Sequence, residues 1–93
     1  PIVGHVGDGN FHCLLLIDDK NPDEMERAGQ FVSWLNELAI SMDGTCTGEH
    51  GIGQGKMPYL SKELGQATVD VMGAIKMALD PDGIMNPGKV VAV

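Results

Sequence analysis

The chain has 93 residues, 43% of them apolar and 20% charged. That is enough for one globular domain or a piece of one, and too little for a flavin or dinucleotide fold with its own substrate domain. Six Lys and Arg against thirteen acids give a net charge of −7 without any basic cluster, which excludes nucleic acid as a partner. No apolar run approaches the roughly 20 residues of a membrane span, and the first residues lack the basic-then-apolar layout of a signal peptide. The chain does not begin with Met, and Pro1-Ile2-Val3 already reads as strand, so it is expected to belong to something longer.

In chain order, residues 1–6 and 11–17 are short, apolar and β-compatible. Gly7-Asp8-Gly9-Asn10 between them are residue types that accept positive φ, which predicts a β-hairpin in which Val6 faces Phe11 and His5 faces His12. Asn21-Pro22-Asp23-Glu24 predicts a helix start, with Asn as N-cap, Pro in the first turn and an acid able to reach back to the cap. Ala28, Phe31, Leu35, Leu38 and Met42 then repeat at steps of three and four along a helix of about 20 residues ending at Asp43-Gly44. Residues 44–58 carry five glycines and predict a short strand and a loop. A second helix is expected from about Ser61, with Leu64, Ala67, Val71, Ala74 and Ala78 on one stripe, stopping before Asp80-Pro81-Asp82-Gly83. A turn-rich segment and the apolar tail Val90-Val91-Ala92-Val93 follow. The expected fold class is α+β: a small antiparallel sheet with two amphipathic helices on one face.

All three histidines lie in the two glycine-rich segments. On opposed strand positions, His5 and His12 would be close enough to hold one ion, and Glu49-His50 would complete the set with a carboxylate and one spare imidazole. Three protein ligands leave positions open for a substrate oxygen. The spacing alone is equally compatible with histidines that only pack or hydrogen-bond, since H-x₆-H is not a standard metal signature. Asp8 and Asn10 are better explained as turn residues than as ligands. Glycines flanking Glu49 and His50 let the backbone pass close to a ligand, whereas the phosphate-loop alternative fails for want of Lys-Thr or Lys-Ser after Gly55. Cys13 and Cys46, without C-x-x-C spacing, read as two small buried hydrophobes in a reducing compartment. Trp34 and the methionines read as core and surface filler.

Three blocks together resemble one family. Gly4-His5-Val6-Gly7-Asp8-Gly9-Asn10-Phe11-His12, Gly44-Thr45-Cys46-Thr47-Gly48-Glu49-His50-Gly51-Ile52-Gly53 and Asp80-Pro81-Asp82-Gly83-Ile84-Met85-Asn86-Pro87-Gly88-Lys89 are similar, in order, to the C-terminal domain of FAD-linked oxidases, which include D-lactate dehydrogenase and the flavin subunit of glycolate oxidase. The resemblance implies that residues 1–93 are the end of a ferredoxin-like cap domain, with the FAD-binding domain upstream in the same parent chain. It implies His5, His12 and Glu49 as ligands of a divalent metal, zinc or manganese, His50 as the base that takes the substrate hydroxyl proton, and Asn86 as a residue near the flavin. The implied activity is FAD-dependent oxidation of a small D-2-hydroxy acid, passing electrons to a cytochrome, a quinone or an electron-transfer flavoprotein. Relatives acting on D-2-hydroxyglutarate carry Asn two residues after the second histidine; Leu14 here favours D-lactate or glycolate.

The segment alone is expected to be inactive, and exposed sheet edge and apolar surface are expected to make it self-associate. The expected location is cytoplasmic, or mitochondrial for a eukaryotic parent. The alternative is a stand-alone metal-binding or interaction domain without catalytic activity.

Overall fold

A computed structural model describes residues 1–92; Val93, at the end of the apolar tail, lies outside the described residues. The elements are β1 (Ile2–His5), β2 (Asn10–Cys13), α1 (Pro22–Ser41), α2 (Met57–Leu64) and α3 (Gln66–Leu79). One two-stranded antiparallel sheet and three helices make this an α+β chain. It divides into two units, residues 1–49 and residues 50 onward.

In the first unit, Ile2 pairs with Cys13, Val3 with His12, Gly4 with Phe11 and His5 with Asn10. The expected opposition of His5 and His12 is therefore corrected, and the cause is the loop. Val6–Asp8 wind into a single 3-10 turn, and Gly9, at φ 68°, closes it by donating its N–H to Val6 O at 3.0 Å. The left-handed residue ends the loop, so the loop is 6–9 rather than 7–10 and Asn10 is released into the strand. The partner of His5 moves by two residues, which preserves the alternation of faces. His5 and His12 remain on one face as a diagonal pair. Gly4 is required here, because a Cβ would lie 2.3 Å from Asn10 O and 2.5 Å from Phe11 Cα.

β2 is also shorter than expected. Leu14 N–H donates to Pro1 O at 2.9 Å, and then the ladder has no further partner residue among the described residues. Leu15, Leu16 and Ile17 continue outside the sheet, with Leu16 88% exposed.

The start of α1 follows the sequence closely. Asn21 Oδ1 accepts the N–H groups of Asp23 at 3.1 Å and Glu24 at 3.3 Å, satisfying two donors that the first turn leaves without helical partners. Glu24 does not reach back to the cap, however; its Oε2 accepts the N–H of Asp18 at 2.7 Å, so it ties down the incoming chain instead. At the other end Asp43 takes the left-handed conformation, φ 65°, and Gly44 N–H donates to Ala39 O at 2.9 Å. These bonds collect the last carbonyls of the helix.

Residues 44–56 contain no strand, contrary to expectation. Gly48, Gly51 and Gly53 all take positive φ, a succession that cannot form an extended ladder. The expected second helix is two helices. Gly65, at φ 86° and ψ 151°, is in a region open essentially to glycine alone, and it breaks the chain between α2 and α3. α2 begins four residues before the expected start, with Pro58 in its first turn where its missing N–H costs no helical bond.

The second unit closes around Leu60 and Val91, the buried hydrophobic residues among those described, and Val90 N–H donates to Gly53 O at 2.7 Å. Asp80, which ends α3, is also buried. Its Oδ2 accepts from Lys76 Nζ at 2.6 Å and from Met85 N–H at 3.0 Å, and its Oδ1 accepts from Ile84 N–H at 3.1 Å. The Lys76 ammonium, then the Met85 N–H, hold the carboxyl below its ordinary 3.8. A folded-state pKa below the unfolded one stabilises the folded turn above the unfolded value, and that contribution disappears as pH falls through the folded value. Amide exchange at Ile84 and Met85, relative to intrinsic rates, should accordingly be slow near neutrality and accelerate below about pH 4. Unchanged protection down to pH 2 would show that the carboxylate does not hold these amides.

In the first unit, Asn36 is the buried residue, and much apolar surface stays open. Leu14–Ile17 and Phe31, with Ala28 and Pro1, line an exposed groove. Trp34 and Met42 are exposed as well. The isolated segment should therefore form dimers or larger species; light scattering that found only monomer over a wide concentration range would contradict this.

Candidate functional site

The last residue of β1, the third residue of β2 and the end of the first unit supply one polar cluster. His12 Nε2–H donates to Glu49 Oε1 at 2.9 Å, and His5 Nδ1 lies 3.6 Å from Glu49 Oε2. One carboxylate thus faces two imidazoles, one through each oxygen. The diagonal arrangement of the histidines allows this, because it separates them enough for a carboxylate to lie between. Glu49 reaches the strand face through Gly48, whose φ is 55° and whose missing Cβ would fall 2.7 Å from Asn10 Oδ1. A larger residue at 48 would be strained by the left-handed backbone and would force the Asn10 side chain to move. Upstream, Thr47 N–H and the Thr45 and Thr47 hydroxyls bond within the turn.

The cluster is open: the side chains of His5, His12 and Glu49 are 65%, 28% and 45% exposed. Two imidazole nitrogens and a carboxylate form a donor set that suits zinc, and equally manganese, with room for further ligands. His12 and Glu49 could thus hold a divalent ion, with His5 as the more distant donor. His50 follows Glu49 by one peptide bond and opens the second unit as an exposed turn residue. Asn86, in the second unit, has φ 47° in the turn that follows α3. Asp8 lies in the 3-10 turn as expected, whereas Asn10 is not a turn residue but the first residue of β2, with its side chain close to Gly48. Cys13 and Cys46 form no disulfide and are half-buried. Leu14, at the last hydrogen bond of the hairpin, is half exposed.

Two polar residues escaped the sequence reading, Lys76 and Asp80. Their i, i+4 spacing on a helix was the available signal, but such pairs are usually exposed and weak, whereas here Asp80 is buried and Lys76 half-buried. The described residues contain no strand–helix–strand unit of the kind that cradles a dinucleotide.

Comparison with known proteins defines the class. The family model described as FAD linked oxidases, C-terminal domain, matches residues 2–90. The chain belongs to this family. It is 54% identical over 90 residues to the probable mitochondrial D-lactate dehydrogenase of Danio rerio, covering 97% of this chain and 18% of that protein. It is 52% identical over 89 residues to the mitochondrial D-lactate dehydrogenase [cytochrome] 1 of Saccharomyces cerevisiae, covering 96% and 15%. It is 49% identical over 89 residues to the glycolate oxidase subunit GlcD of Bacillus subtilis, covering 96% and 19%. The chain thus spans less than a fifth of the length of these relatives.

Proposed function

We propose that this chain is the C-terminal catalytic segment of an FAD-dependent D-2-hydroxy-acid dehydrogenase that oxidises D-lactate or glycolate to the 2-oxo acid. The observation that carries the proposal is the Glu49 carboxylate facing both His5 and His12 in a chain of the FAD-linked oxidase family. His5, His12 and Glu49 hold a zinc or manganese ion, and Asn86 contacts the flavin held mainly by an upstream domain of the same parent protein. When bound, the ion supplies positive charge that makes a hydroxyl more acidic, and FAD supplies a two-electron acceptor. His50 takes the hydroxyl proton through a neutral imidazole nitrogen, while the Cα hydrogen leaves with its electron pair toward the flavin. Holding the acid in one orientation before transfer removes much of the entropic part of the barrier.

Leu14, apolar and half exposed beyond the second histidine, favours a short monocarboxylic acid, because it offers nothing to bind a second carboxylate. A mitochondrial setting is proposed for a eukaryotic parent, in keeping with the names of the zebrafish and yeast relatives, and a cytoplasmic one otherwise. No helix among the described residues is long and apolar enough to cross a membrane.

The test is anaerobic mixing of the full-length flavoprotein with D-lactate, L-lactate, glycolate and D-2-hydroxyglutarate. Bleaching of the oxidised flavin by D-lactate or glycolate is the expected result, with one zinc or manganese per chain by elemental analysis. A flavin that dithionite reduces but neither acid does would overturn the substrate assignment.

A further inference from the structure

The polar group that organises the end of α3 lies away from the histidines. The side chain of Asp80 is 6% exposed and that of Lys76 21%. Asp80 accepts the N–H groups of both Ile84 and Met85, and Lys76 Nζ, bonded to Asp80, also donates to Met85 O. The peptide groups on either side of the Met85 Cα are thus gripped, one through its N–H and the other through its carbonyl. α3 does not need this to terminate, because Asp80 N–H already donates to Lys76 O at 2.9 Å and Gly83 N–H to Asp80 O at 3.1 Å. Nor does apolar packing fix the segment: Ile84 is 78% and Met85 62% exposed. The ion pair is what gives these residues a defined backbone path. The next residue is Asn86, which turns into the left-handed region and accepts Lys89 N–H at 3.3 Å.

We infer that Lys76 and Asp80 are positioning residues for Asn86, their grip on Met85 fixing the direction in which the Asn86 amide is presented to the flavin. The inference rests on the flavin contact proposed for Asn86 and adds what holds that residue in place. An amide hydrogen bond to a planar ring tolerates little misplacement, and a shift of about 1 Å at a positioned group can cost around 10²-fold in rate. Lys76 contributes through geometry alone, since it has no proposed contact with substrate, metal or flavin.

The experiment uses the full-length flavoprotein with Lys76→Met, Asp80→Asn, Asn86→Ala and the double variant Lys76→Met/Asn86→Ala. FAD retention, the visible spectrum of the bound flavin, kcat with D-lactate and metal content are compared. Expected is that Lys76→Met shifts the flavin spectrum and lowers FAD retention and kcat by about tenfold or more, in the same direction as Asn86→Ala. Metal content should stay at the wild-type level. The double variant should match Asn86→Ala alone, because residues acting through one another are not additive, and Lys76→Arg should restore most of the loss. Were Asp80→Asn not to fold, the Lys76 variants decide alone. Fully additive losses, or Lys76→Met within twofold of wild type while Asn86→Ala alters the flavin, overturn the inference and leave the flavin contact standing. An unaltered flavin in Asn86→Ala refutes the contact itself, and the inference with it.

Discussion

His50→Ala in the full-length flavoprotein should lower turnover by about 10²–10⁴ while leaving the bound metal in place. The expectation follows from the division of labour among neighbouring groups. Glu49 faces the two strand histidines, and in the proposed reaction His50 is assigned to the proton rather than to the ion. Loss of a base removes a pathway for the hydroxyl proton and leaves the ligands for the cation untouched. Small external imidazoles should recover part of the lost rate. Metal analysis and imidazole rescue on the same preparation check this. Loss of metal from His50→Ala equal to that from a ligand variant would make His50 a ligand.

His12→Ala or Glu49→Ala should instead deplete the metal and the turnover together. Both belong to the close contact at 2.9 Å, and Glu49 also faces His5, so its removal affects both histidines at once. Changing a residue that merely supports a metal ligand typically costs 10- to 100-fold in affinity or activity, and removal of a ligand should exceed that. Glu49→Ala is expected to be the more severe of the two. His5→Ala should be milder than either, since His5 is the most exposed of the three and lies 3.6 Å from the carboxylate. Elemental analysis after dialysis, beside steady-state rates with and without added zinc or manganese, separates these outcomes. Full metal content in all three variants would return the histidines to a purely structural part.

α1 was legible because three local signals agreed: Asn21 as cap, Pro22 in the first turn and the three–four apolar spacing behind them. Gly65 was legible in principle, yet the apolar stripe from Leu64 to Ala78 ran across it and concealed the break. Membership of the histidine–carboxylate cluster followed from residue type, and which residues shared a strand face followed from alternation. Their opposition did not follow. It depends on whether Gly9 or Asn10 takes the left-handed position, and both residue types accept it. The Lys76–Asp80 pair was illegible for another reason: burial decides its importance, and burial is a property of tertiary packing that a four-residue spacing does not carry.

The contact between His12 and Glu49 joins residues 37 positions apart in the chain, with α1 lying between them. A cation shared by the two would act as a cross-link closing that loop, and in the chain-entropy view a closure of this length removes about 3–4 kcal/mol of freedom from the unfolded chain. The ion would then staple β2 to the segment that follows α1 as well as serve the chemistry. Chelation should in that case loosen the whole stretch from Leu14 to Gly48 and open its exposed apolar turns to proteases, so that loss of activity and loss of the fold would arrive together in a metal-starved cell.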